Sequence, residues 1–233
     1  MQRLHRYPHS ALRAVGHTHC RRAGLWLALV LITSLPAHAA PPGAQFIPSA
    51  SIDVQRLNTW VQATGDSRYM PFAIIDKKQA RIFVFDAQAR LQGSSPVLLG
   101  AAIGDDTVPG IGDRRIADIL PHERTTPAGR FVAEPGMNTK GDDIIWVDYD
   151  AAVSLHRVRA NDRSERRLQR LASPTPDDNR ISYGCINVPA RFYDRVLQPA
   201  MAVQAVVYVL PETRSPGAVF GFQDAATQPG QGF

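Results

Sequence analysis

Two side chains in this sequence are suited to nucleophilic chemistry, Cys185 and His156. Cys185 stands in "ISYGCINVPARFYDRV", between Gly184 and Ile186, with Pro189 four residues on. A thiol in such a turn can be a small buried filler, half of a disulfide, a metal ligand or a nucleophile. Gly184 clears one flank, so a substrate could approach both the sulfur and the backbone N–H groups, which could hold a developing oxyanion. A nucleophilic thiol also needs a base. His156 lies in "VSLHRV", where Val153, Leu155 and Val158 read as a strand. A histidine held on a strand beside a cysteine turn makes the Cys–His pair of acyl-transfer chemistry. His122, in "LPHERTTP", sits among Pro, Glu and Arg and reads as a loop histidine.

The N-terminal segment narrows what Cys185 can be. Arg3, Arg6, Arg13, Arg21 and Arg22 are followed by the apolar run "LWLALVLITSL" and by Ala37-His38-Ala39, a small-x-small cleavage site. This is the pattern of a secretory signal peptide over 1–39. The run is too short to span a bilayer, which takes about 20 residues, so no stable membrane insertion is expected once the leader is removed. The expected location is the periplasm or cell envelope. The whole chain has 26 Lys+Arg against 21 Asp+Glu, and the leader holds five of the arginines and no acid, which leaves 21 against 21. A neutral mature chain has no general pull toward nucleic acid. Cys20 leaves with the leader, as do all histidines except His122 and His156. Exported proteins usually pair their cysteines, and a lone thiol cannot pair within its chain. One Cys and two His also fall short of a zinc site, so no metal is expected.

Removing 39 residues from 233 leaves 194, enough for one domain with a core. Residues 40–68 read as a Pro/Ala/Ser linker and a short helix, "IDVQRLNTWVQATG". Beyond it, "PFAIIDKK", "ARIFVFDAQ", "SPVLLGAAIG", "GRFVAEP", "DIIWVDYD", "AVSLHRV" and "AVQAVVYVLP" are short apolar or alternating runs split by polar turns. Such runs predict a mainly β fold, a sandwich or barrel. "SERRLQRLAS" and "PARFYDRVLQPAM" predict the two further helices, with Pro189 in the first turn of the second. Residues 213–233, rich in Gly and polar residues, predict a flexible tail.

Several of these residues together resemble a known family. "RISYGCINV" is similar to the signature of the L,D-transpeptidase catalytic domain, in which Ser or Thr, His, Gly and the catalytic Cys run together and Asn or Arg follows two positions later. Ser182, Gly184, Cys185 and Asn187 match, as does Arg180 shortly before the Ser. Tyr183 stands where the family has His. His156 is in the order of the family's base, with Arg157 and Val158 in place of Gly-Thr, and "RSERRLQRLASPTPDDN" lengthens the gap to Ser182. "TTPAGRF" resembles a Thr-Pro-x-Gly-x-Phe stretch of the family through Thr126, Pro127, Gly129 and Phe131. The resemblance covers 69–212.

The resemblance implies an L,D-transpeptidase-like β sandwich or barrel that acts on peptidoglycan stem peptides. Cys185 would be the nucleophile and His156 the base and acid, supported by Arg180, Ser182, Tyr183, Gly184 and Asn187. The family cysteine attacks the carbonyl between the diamino acid at position 3 and the D-Ala at position 4, without cofactor or metal. An amine from another stem, or from an amine-donor protein, resolves the thioester. Water in its place makes a carboxypeptidase or endopeptidase. Members are acylated by carbapenems. Ser182 or a backbone carbonyl could hold the imidazole. Two readings from other classes stay open: a non-catalytic wall-binding module, and an exported cysteine protease of another fold.

Overall fold

The structure, a computed structural model, describes Ile47 and residues 49–223; the leader and cleavage site expected over 1–39 lie outside the described residues. The described residues belong to one compact unit, 40–233. The fold is mainly β. Strands β1 (Phe72–Asp76), β2 (Arg81–Phe85), β3 (Leu91–Pro96), β5 (Gly129–Met137), β6 (Asp143–Asp148), β7 (Val153–Arg157), β9 (Ile186–Val188) and β10 (Ala205–Val209) form one sheet in the order β3-β2-β1-β10-β5-β6-β7-β9. A short pair, β4 (Leu99–Gly100) and β8 (Arg180–Ser182), stands beside it.

The strand sequences explain how the sheet is covered. Successive side chains of a strand point to opposite faces, and β1, β2 and β10 are apolar at nearly every position because both of their faces are covered. Phe72, Ile74, Phe83, Phe85, Val206 and Tyr208 fill one face. Helix α1 (Ile52–Thr64) covers it with Val54, Leu57 and Val61. Ser51 caps this helix by accepting from the Val54 N–H, and Gly65 ends it in the left-handed conformation. The short helix expected after the linker is present and packs against the sheet. Ala73, Ile75, Ile82, Val84, Val207 and Val209 face the other way, into a core shared with Leu155, Ile186 and Val188 of the far strands.

That second core exists because the sheet curls. Leu98, two residues past the end of β3, and Asn187 of the other edge strand, β9, exchange both backbone hydrogen bonds, at 2.8 and 2.9 Å. The sheet is thus nearly closed, as the barrel alternative expected. A helical run fills one side of this core. It comprises α3 (Ala190–Phe192), a π-helical turn over Tyr193–Leu197 and α4 (Gln198–Ala200), with Tyr193 and Leu197 fully buried. Pro189 stands one position before its first helical residue, not within its first turn. Helix α2 (Arg167–Ala172) lies in the long segment between β7 and β8.

Three expectations change. "SPVLLGAAIG" is not one strand: β3 ends at Pro96, and only Leu99–Gly100 pairs again, with β8. The polar run Leu91–Pro96 is a strand instead, because β2 supplies its hydrogen-bonding partner. The flexible tail expected from 213 does not hold over its described part. Helix α5 (Pro216–Phe220) is capped by Ser215 and ended by Gly221, and Phe220 joins the α1 core. Phe222 lies 5.8 Å from the Trp60 ring. Val219, Phe220 and Phe222 are the apolar residues of that segment that pack against the α1 core. Among the described residues no helix is long and apolar enough to cross a membrane.

Candidate active site

Cys185 occupies the turn between β8 and β9, and the turn's own residues build it. Ser182, buried, donates from its hydroxyl to the Cys185 carbonyl at 2.6 Å and accepts from the Gly184 N–H at 3.1 Å. Gly184 has φ +132°, a conformation open essentially to glycine alone. A Cβ there would stand 2.8 Å from the Thr125 carbonyl oxygen. Glycine is required both for the bend and for the close approach of the Thr125 backbone.

β9 then runs parallel to β7, with Leu155 opposite Ile186 and His156 opposite Asn187. This register sets Ser154 beside Cys185. Ser154 and His156 are two apart and share a face of β7, the face that meets the thiol. The Ser154 hydroxyl lies 3.6 Å from the sulfur, and the Ala152 carbonyl 3.5 Å. Burial pushes the Cys185 thiol up. Hydrogen bonding and charge from the His156 imidazole, with hydrogen bonds from the Ser154 backbone and hydroxyl, outweigh it and hold the thiol below its ordinary value. The His156 Nδ1 lies 2.8 Å from the Arg157 carbonyl oxygen, which can only accept. Nδ1 therefore carries a proton, and Nε2 is left to exchange one. Of the two groups that could hold the imidazole, the backbone carbonyl does so; Ser182 braces the turn.

The two peptide planes that flank the Cys185 Cα are both tied. The Gly184 carbonyl accepts from the Thr126 hydroxyl at 2.9 Å, and the same hydroxyl oxygen accepts from the Gly100 N–H at 2.9 Å. The Cys185 carbonyl accepts from Ser182 and from Asn187 Nδ2, the latter at 3.2 Å. Among the described residues the Cys185 N–H makes no backbone hydrogen bond outside the strand ladders.

The remaining expected residues take distinct places. Tyr183 is exposed at the turn, with the Arg124 guanidinium 4.2 Å from its ring centroid, a cation–π contact. Arg180 is ion-paired with Glu212 and donates to the Lys77 carbonyl. Asn187 is buried beside the turn. His122 is exposed on a 3-10 turn, Pro121–Glu123. Two contributors were not expected. Ser154 was legible in the two-residue spacing of "SLH". Thr126 belongs to "TTPAGRF", but its contact with Gly184 crosses 58 residues and leaves no local trace. Behind Thr126 lies a wholly buried lysine, Lys77. It donates to the Thr126 carbonyl at 2.9 Å and to Gly104, and it pairs with Asp105 at 2.9 Å and Glu212 at 3.4 Å. Among the described residues no cluster of three His, Cys, Asp or Glu could hold a metal ion.

No protein-family model matches the sequence, and no curated protein matches it. Similar solved structures include the helical cell shape determining protein Pgp2 from Campylobacter jejuni, at 13% identity and a TM-score of 0.40, over 63% of this chain and 49% of that one. They also include the L,D-transpeptidase from Xylanimonas cellulosilytica, at 12% identity and a TM-score of 0.36, over 60% of each chain. A third is the catalytic domain of the E. faecium L,D-transpeptidase, at 14% identity and a TM-score of 0.34, over 60% of this chain and 96% of that one. The chain thus spans about half the length of the Pgp2 chain that it matches.

Proposed function

We propose that this protein is an exported cysteine acyltransferase acting on peptidoglycan stem peptides, an L,D-transpeptidase with its acyl-enzyme on Cys185. The observation that carries this reading is geometric: the Cys185 sulfur lies 3.6 Å from Ser154 on the strand that also carries His156, whose Nδ1 is fixed on the Arg157 carbonyl, and this imidazole holds the thiol low against its own burial. An inert buried thiol has the opposite tendency. The motif around Cys185 and the leader pattern supply the substrate class and the compartment, the periplasm or cell envelope. Residues 69–212 are the proposed catalytic domain, and α1 and α5, which pack on the same sheet, belong with it.

On this reading His156 Nε2 takes the thiol proton, and the sulfur attacks the carbonyl that joins residue 3 of the stem to D-Ala. The Cys185 N–H holds the oxyanion. Collapse breaks the C–N bond, and His156 returns the proton to the leaving D-Ala amine. An acceptor amine then gives a proton to His156, attacks the thioester and releases the thiol. Ser182 and Gly184 shape the turn, and Tyr183 with Arg124 lies at its exposed side. No cofactor is required by these steps.

Incubation with purified tetrapeptide muropeptides, followed by mass analysis, tests the reading. Cross-linked dimers with loss of D-Ala support it. Hydrolysed stems alone make the protein a carboxypeptidase or endopeptidase on the same acyl-enzyme, and unchanged stems that co-purify make it a wall-binding module. A carbapenem should add its mass to the wild type and not to Cys185→Ala. His156→Ala should slow that adduct about 10²–10⁴-fold, the usual cost of a lost general base.

A further inference from the structure

The segment between β7 and β8 reaches the nucleophile's turn through Arg167. This residue opens α2, and its side chain is 13% exposed. Its Nε and Nη2 hold Glu165 at 2.5 and 3.2 Å, and its Nη1 donates to Asn187 Oδ1 at 2.8 Å. A guanidinium can only donate, so this contact settles which end of the Asn187 amide faces it. Nδ2 must then face the other way, where it donates to the Cys185 carbonyl. Asn187 is 1% exposed, so without Arg167 its Oδ1 would be a buried acceptor lacking its charged partner. The amide could then rotate, and an oxygen would oppose the Cys185 carbonyl.

We propose that Arg167 is a positioning residue for the Cys185 nucleophile: through Asn187 it locks the peptide plane that follows Cys185 and so aims the sulfur and its oxyanion donor. The inference rests on the acyl-transfer reading above. Two tied planes, one on each side of the Cα, leave the Cys185 backbone torsions little freedom. Thr126 ties the plane before the Cα. Ser182 and the Arg167–Asn187 relay tie the plane after it. The planar fork of arginine suits the task because it spans Glu165 and Asn187 at once, which an ammonium group cannot do with the same geometry. Glu165 in turn holds the fork in place. The segment that lengthens the gap between His156 and Ser182 thereby acquires a part in the chemistry.

Two reagents separate aim from reactivity. Iodoacetamide alkylates a thiolate without forming an oxyanion, whereas a carbapenem must be attacked at a carbonyl. In Arg167→Gln, carbapenem acylation should slow by about tenfold, less than the roughly 10²–10³ of a deleted oxyanion donor. The alkylation rate and its pH midpoint should stay at the wild-type values. Arg167→Lys should fall between the two, and it serves if the Gln variant folds poorly. In an Asn187→Ala background the same Arg167 change should have no further effect on acylation, since the relay is already cut. Acylation at the wild-type rate in Arg167→Gln overturns the inference alone. Equal losses of acylation and alkylation, with a lowered melting temperature, make Arg167 a merely structural residue and also overturn it. A wild type that is alkylated but takes up no carbapenem removes the acyl-transfer reading itself, and this inference with it.

Discussion

The Cys185 turn is held from two flanks, and the flanks are built differently. On one, Thr126 is backed by charges almost completely withdrawn from water: Lys77 is 0% exposed, Asp105 1% and Glu212 5% at their side chains. Arg180 closes this group against Glu212, and Asp105 also accepts from the N–H groups of Glu212, Thr213 and Arg214. On the other flank, Arg157 pairs with Asp143 and Asp194, and Arg159 with Asp142, all a third to a half exposed. Buried charges are tolerable only with full sets of partners, and removal of one partner is severe. Exposed pairs are screened and interchangeable. The first flank is a rigid wall that joins segment 101–128, the end of β1 and the chain after β10. The second is adjustable, and Arg167 reaches in from it to Asn187, beside the turn.

The sharpest way to break this contrast is Lys77→Met. It leaves Asp105 and Glu212 without their shared cation, and a broken buried pair costs about 3–5 kcal/mol. At roughly 2–4 °C per kcal/mol for a domain of this size, calorimetry should show a fall in melting temperature on the order of 10 °C. A change of only a degree or two would mean that the wall is no stiffer than the surface.

Acid should act on the same wall. Burial pushes the Asp105 carboxyl up, but hydrogen bonds from Thr213, Lys77 and two backbone N–H groups hold it far below the ordinary aspartate value of 3.8. A group depressed in the folded state contributes stability that is fully present above its unfolded value and is lost as pH falls through its folded one. Melting temperature should therefore drop as pH falls below about 4. Asp105→Asn should be less stable near neutrality and flatter across that acid range. An unchanged slope in the variant would remove Asp105 from the account.

Thr126→Val comes next. It keeps the shape but strips two hydrogen bonds from a fully buried position, those with Gly100 and Gly184, at about 1–3 kcal/mol. Carbapenem acylation should slow together with stability, because the plane before Cys185 is released. The smallest effect is expected for Arg157→Gln on the exposed flank. Its carboxylate partners are about half exposed, so the loss should be about 1 kcal/mol or less. Chemical denaturation would resolve it. A cost as large as that of Lys77→Met would abolish the contrast between the flanks.

The candidate site was legible where its chemistry is local. Gly184, Cys185 and Ser182 lie within four residues, and the bend they make is a property of that short stretch. The strand around His156 was legible too, because alternation is a local pattern. Ser154 shares that pattern, but serine alone carries no chemical signal. Strands β8 and β9 were hidden: each has three residues, too few to show a period. Leu91–Pro96 was hidden for another reason: it is polar and mostly unburied, and it stands at the end of the strand order.

The residues alone gave away the mainly β class, the helices over Ile52–Thr64 and 190–200, a thiol in a glycine turn at Cys185 and a histidine on a strand at His156. These follow from residue types and from periods of two and 3.6, which are written within a dozen residues. The tertiary structure alone decided that Leu98 meets Asn187 to close the sheet, that Lys77 lies wholly buried among carboxylates, and that Thr126 and Arg167 reach Cys185 from opposite flanks. Those contacts join residues from 20 positions apart, Arg167 and Asn187, to 135 apart, Lys77 and Glu212. No local pattern can encode them, because each is selected by which partner satisfies a buried polar group once the chain has folded around it.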